Sequence, residues 1–143
     1  MSFTKLLIVL AIAGGGYHYW SKRQETNAVA SVAAAQAASP TGFIELPPAT
    51  GGNPAAVTIV APENCPEEGA RRADSLADDL ARKGIPVARA HNVNFSIPNN
   101  DMALANRVMA VMQSDIPIVL VNGKAKSNPQ LEEVLVEYRA MKR

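Results

Sequence analysis

Cysteine is nearly absent from this chain: Cys65 is the only one in 143 residues. A lone thiol excludes an internal disulfide and leaves no second sulfur to resolve a mixed disulfide within the chain. Histidine is almost as scarce. His18 and His91 stand in different regions, and with one cysteine they make no metal-ligand spacing, so no metal is expected. Aromatic residues are 5% of the chain and no lysine- and arginine-rich face is interleaved with them, which argues against nucleic acid as a partner. No phosphate-binding glycine loop is present, and neither Ser75 nor Ser96 with His91 has a hydrolase context. There is no internal repeat. What remains is a chain of balanced charge, formally +1, with 48% hydrophobic residues, enough for one small domain with accessory segments.

The most informative stretch is residues 56–80, AVTIVAPENCPEEGARRADSLADDL. Val57, Ile59 and Val60 are β-branched and lead to Pro62 and Asn64, which predicts a buried strand ending near Ala61. Pro66 suits a first helical position, and Glu67 and Glu68 suit the first turn, where the helix dipole favours negative charge. Ala70, Ala73, Ala77 and Leu80 then recur at helical spacing. Cys65 is thereby expected at a helix N-terminus, a position that favours the thiolate when nothing opposes it.

Beyond Gly84, residues 86–90 read as a second strand and residues 101–113 as a helix with Leu104, Val108, Met109 and Met112 on one side. Met102, Met109 and Met112 read as core filling. Residues 116–121, IPIVLV, form a third strand, and Asn122-Gly123 is a strong hairpin signal that predicts an antiparallel return over residues 124–126. A final helix is expected after Ser127 or Asn128, with Pro129 in its first turn, Gln130 in a capping box with Ser127, and a stripe of Leu131, Val134, Leu135, Tyr138 and Met141.

The predicted order is β-α-β-α-β-β-α, and with Cys65-Pro66 at the strand-to-helix turn and Ile116-Pro117 opening the third strand the chain resembles the thioredoxin superfamily. Among its members it is most similar to glutaredoxins, over residues 56–141. The resemblance implies that Pro117 is cis and lies beside Cys65; the residues alone are equally served by a trans proline at the start of an edge strand. It further implies a candidate thiol at Cys65, with Pro66, Glu68, Ile116 and Phe95 as binding residues. Glu68 stands where a second cysteine would complete C-x-x-C, so the motif is a degenerate C-P-E-E. Glutaredoxins that hold glutathione carry a basic residue before the cysteine turn and a glycine pair with an acidic residue after the hairpin. Here those places hold Pro62, Glu63 and Asn64, and Ala125, Lys126 and Ser127, so glutathione is only weakly supported and no other cofactor is implied. Two roles for Cys65 stand side by side: a monothiol nucleophile opposed by Glu67 and Glu68, or a helix cap to which Glu68 reaches back.

Residues 1–23 have Lys5, an uncharged run over 6–16, the aromatic residues Tyr17, Tyr19 and Trp20, then Lys22 and Arg23, the layout of a membrane-targeting segment. Two forms are open: a retained anchor entering the membrane through residues 3–20, or a signal peptide cleaved near Ala11-Ile12-Ala13. Both place the C-terminal domain outside the cytoplasm, in a periplasmic or equivalent compartment. Residues 24–55, alanine-rich and then rich in proline and glycine, read as a flexible linker. Within them Phe43-Ile44-Glu45-Leu46 is apolar enough to pack as an extra edge strand or to dock a partner. The polar loop over residues 91–100 is a second candidate contact.

The sequence thus predicts an N-terminal membrane helix (1–23), a flexible linker (24–55) and a glutaredoxin-like domain (56–143). The function expected is weak monothiol exchange or a degenerate protein-binding role. The reading from a different class is a non-catalytic accessory or scaffold subunit of a cell-envelope complex.

Overall fold

A computed structural model describes residues 3–61 and 67–143. Helix α1 (Phe3–Ala38) is followed by β1 (Ile44–Glu45), β2 (Ala49–Thr50), β3 (Val57–Val60) and α2 (Glu67–Arg82). Then come β4 (Val87–Ala90), β5 (Asn94–Phe95), α3 (Met102–Met112), β6 (Ile118–Val121), β7 (Lys124–Ser127) and α4 (Leu131–Met141).

Five strands form one mixed sheet in the order β1-β7-β6-β3-β4. β3 and β4 run parallel, while β6 is antiparallel to β3 with Val60 opposite Ile118, and β7 and β1 continue antiparallel. The β6–β7 hairpin closes on Asn122 and Gly123, both at positive φ, as the strand twist requires of a two-residue turn. Alternation along β3 divides two cores. Val57 and Ile59 pack with Ala73, Leu76 and Leu80 of α2 and with Val134, Leu135 and Tyr138 of α4. Val60 faces the opposite side, with Ile118, Ile44, Val32 of α1, and Val108 and Val111 of α3. Each such buried branched side chain contributes about 1.5–3 kcal/mol relative to exposure.

The expected membrane anchor is not borne out: among the described residues no helix is long and apolar enough to cross a membrane. The reason lies in the sequence. The uncharged run over residues 6–20 is short of the roughly 20 residues a span needs, and α1 continues through Ser21, Lys22, Arg23, Gln24 and Glu25. The fold class is therefore corrected to a mixed α/β fold without an N-terminal membrane helix, and the membrane-anchored, extracytoplasmic placement that depended on that helix is withdrawn.

The flexible linker is corrected with it. Residues 24–38 belong to α1, whose Val32 is 5% exposed against α3. Alanine's helix propensity needed only this apolar contact to become ordered structure. Further on, Phe43, Ile44 and Leu46 are buried, and β1 pairs with β7 at the sheet edge. A polar network fixes this arm. Thr41 Oγ1 donates to the buried Glu137 Oε1 at 2.5 Å, Lys124 Nζ to Glu137 Oε2 at 3.2 Å, and Lys126 Nζ to Thr41 O at 2.8 Å.

The last helix starts later than the sequence suggests. Asn128 has φ +44 and its N–H donates to Pro117 O at 2.7 Å, which holds the chain away from helical geometry until Leu131. Gln130 is the N-cap, and its backbone N–H donates to Glu133 Oε2 at 2.8 Å, so the carboxylate reaching back is Glu133's. For α3, Asp101 caps the N-terminus by accepting from Leu104 N–H at 2.9 Å.

Candidate binding groove at the carboxyl ends of the parallel strands

In α/β sheets, ligands gather where parallel strands end and the chain direction switches. β3 and β4 end together here, at Val60 and Ala90, and β6 enters beside them from the opposite direction. The peptide bond leading into β6, Ile116-Pro117, is cis, and Pro117 is fully buried. Two hydrogen bonds from the segment before α4 hold this loop: Ser127 Oγ donates to Asp115 O at 2.5 Å and Asn128 N–H to Pro117 O.

The first turn of α2 packs directly on the same loop. A Cβ added to Gly69 would stand 2.5 Å from Ile116 Cδ1 and 2.7 Å from Cγ1, so glycine lets the helix approach Ile116 without displacing its side chain. The start of α2, the end of β3 and the Ile116-Pro117 loop thus meet at one corner.

Beside that corner lies a groove of about 340 Å³ lined by Val60, His91, Val93, Phe95, Met109 and Met112, together with Ile116 and Ile118. It is largely apolar. Among the described residues His91 is its one titratable side chain; Nδ1 lies 3.2 Å from Ala61 O and donates to it, which ties the residue after β4 to the end of β3. Phe95 is held over the groove by β5, which pairs antiparallel with β2, Phe95 opposite Ala49. Among the described residues no cluster of three or more histidine, cysteine, aspartate or glutamate side chains is arranged to hold a metal ion.

No family model, curated protein or solved structure matches this chain.

Of the residues singled out from sequence, Ile116 and Phe95 share the groove, and Pro117 borders it. Glu68 is exposed in the first turn of α2, next to Gly69. Cys65 and Pro66 lie outside the described residues. Pattern reading passed over Gly69, whose signal was available as the only glycine inside a predicted amphipathic helix. It also read Met109 as core, whereas Met109 is 55% exposed at the groove's edge. His91, read as a loop residue, lines the groove.

Proposed function

We propose that this chain is a glutaredoxin-like, single-thiol module of the thioredoxin superfamily, in which an apolar, extended polypeptide docks in the groove beside Ile116-Pro117 and Cys65 supplies the only thiol. The observation that carries this reading is the meeting of the Ile116-Pro117 loop with Gly69 of α2 and the end of β3, opening onto an apolar groove of about 340 Å³. In sequence Cys65 falls between that strand end and that helix start, four residues after Ala61 and two before Glu67.

Exchange would follow one course. The Cys65 thiolate attacks one sulfur of a disulfide, a new S–S bond forms to Cys65, the old S–S bond breaks, and the departing thiolate takes up a proton. With no second cysteine, release depends on an external thiol attacking the mixed disulfide. Incubating the protein with oxidised glutathione and weighing it by mass spectrometry tests this step. The expected result is one glutathionyl adduct, absent in Cys65→Ser and removed by excess thiol; an unmodified Cys65 under conditions that modify an unfolded control refutes exchange.

A separate observation favours the non-catalytic accessory role. Trp20 and Val29 of α1 and Met102 and Met109 of α3 are each at least 55% exposed around a cleft of about 300 Å³. The Phe43 to Leu46 segment is not free to make such a contact, because Phe43, Ile44 and Leu46 are buried and β1 is paired. A Cys65→Ser substitution without effect on function, together with loss of function in Val29→Gln/Met102→Gln, whose side chains line the cleft and not the groove, would select this role.

A further inference from the structure

The sheet face that carries Val60 and Ile118 packs against α1 and α3. Toward the opposite end of β3, beyond the pair Thr58 and Leu120, its cover is a strap over residues 47–54. Under the strap is a cavity of about 370 Å³. Of its lining only Met141 belongs to a helix; the sheet contributes Thr58, Leu120 and Val121, and the strap contributes Pro47, Pro48 and Pro54 among others.

The strap is built as an arch. One foot is fixed where Leu46 N–H donates to Gly123 O at 3.0 Å, and the other where Asn53 O accepts from Ala56 N–H at 3.0 Å and Asn53 Oδ1 from Ala55 N–H at 3.0 Å. Its crown is the β2–β5 ribbon, with Ser96 N–H donating to Pro48 O at 3.1 Å and Thr50 Oγ1 to Asn94 O at 3.2 Å. Three prolines in eight residues fix φ and stiffen the arch against collapse onto the sheet. The space is open to solvent past Pro48, Gly52 and Asn53, which are exposed, and its volume exceeds the roughly 150 Å³ that suffices for benzene in an apolar site.

Charge narrows the occupant. Among the described residues, no lysine, arginine, aspartate, glutamate or histidine lines the cavity. A second space of about 260 Å³ adjoins it through Ala49, Gly52, Asn53, Thr58 and Leu120, and adds the polar residues Asn92 and Asn94. Its only charged residue among the described ones is Arg89, whose guanidinium is paired with Asp74 at 2.5 Å.

We propose that the space under the strap is a binding site for an uncharged, largely apolar small molecule larger than one aromatic ring, with a neutral hydrogen-bonding group toward Thr58, Asn92 and Asn94. The main space lies toward the opposite end of β3 from the groove beside Ile116 and shares no lining residue with it; the smaller adjoining space reaches that groove, with Asn92 and Val93 lining both.

The test is titration of the full chain with N-phenyl-1-naphthylamine, an uncharged two-aromatic probe whose emission rises in apolar surroundings, followed by amide NMR shifts. Saturable one-site binding is expected, with shifts at Thr58, Leu120 and Gly123. Leu120→Trp, which fills the cavity from the sheet, should weaken binding about tenfold or more. Gly52→Leu should do the same; a Cβ at this exposed position meets no atom within 4 Å, so the variant displaces nothing at its root and decides the matter if Leu120→Trp does not fold. The sulfonated analogue 1-anilinonaphthalene-8-sulfonate should bind more weakly. The proposal is overturned by absence of saturable binding, by affinity that neither variant changes, by equal affinity for the sulfonate, or by shifts confined to the α1–α3 cleft at Trp20, Met102 and Met109.

Discussion

Substituting Gly69 by alanine puts one methyl group where the structure has room for none. The new Cβ would meet Ile116 Cδ1 at 2.5 Å and Cγ1 at 2.7 Å, both well inside ordinary van der Waals contact. Ile116 must then rotate or the α2 turn must lift. Overpacking of this kind costs about 1–3 kcal/mol, while alanine in place of glycine in a helix returns up to about 1 kcal/mol, so the net loss should be roughly 0–3 kcal/mol. A single number in that range decides little. The double-mutant cycle decides more: Ile116→Ala removes both clashing atoms, so Gly69→Ala should cost nothing, or stabilise slightly, in the Ile116→Ala background. The coupling energy from urea unfolding at constant m should be at least about 1 kcal/mol. Additivity of the two changes within about 0.5 kcal/mol would refute the close packing of α2 on the Ile116-Pro117 loop, and the proposed site would lose its corner.

Two further perturbations address how the arm and the last helix are held. Glu137→Ala leaves Thr41 Oγ1 and Lys124 Nζ without their buried carboxylate acceptor and should cost about 2 kcal/mol, with faster hydrogen exchange at Ile44 and Leu46 than at Val119; uniform acceleration or no change would show that the network does not fix the arm. Burial pulls the Glu133 carboxyl up, but the hydrogen bond and charge of Lys126 and the Gln130 backbone N–H outweigh it and hold the group below its ordinary 4.5. A depressed folded value means that its stabilisation is present above 4.5 and is lost as pH falls through the lower folded value. Wild type should therefore exceed Glu133→Gln by roughly 0.5 kcal/mol at neutral pH, with the gap closing in acid below pH 4.5; a gap that persists or widens on acidification would contradict the assigned pairing.

Much of the sheet was legible because its signals are local. β-Branched residues at 57, 59 and 60, the run IVLV before Asn122-Gly123, and Gly84 at φ +75 after α2 each fix a piece of backbone with no knowledge of the rest. The N-terminal third was misread because its signals are not local. Composition makes residues 6–20 look like a membrane segment and 24–38 like a tether, yet both belong to α1. What orders the second part is Val32 meeting Val108 and Val111, a contact between residues some eighty positions apart. The start of α4 failed for a similar reason, since the bond from Asn128 N–H to Pro117 O crosses from one loop to another and overrides a plausible local cap.

The same division separates the two sites. The end of β3 and the start of α2 at the corner beside Ile116-Pro117 are legible because they are written in adjacent residues. The groove's walls are not so written: Phe95 comes from a loop that gained two residues of strand by pairing with the strap, and Met109 from the helix side read as core filling. That pairing has a consequence for both ends of the sheet. β5 presents Phe95 to the groove beside Ile116, and its partner β2 is the crown of the strap over Thr58 and Leu120. One two-residue ribbon is therefore shared by both spaces. Occupancy of one space changes the ribbon's freedom, and so acts on the other, only to the extent that a ligand binds one ribbon position better than another. Measuring N-phenyl-1-naphthylamine affinity with and without glutathionylation of Cys65 gives that coupling directly. A ratio near one would make the two ends independent, whereas a ratio of about five or more would make the β2–β5 ribbon the element through which they communicate.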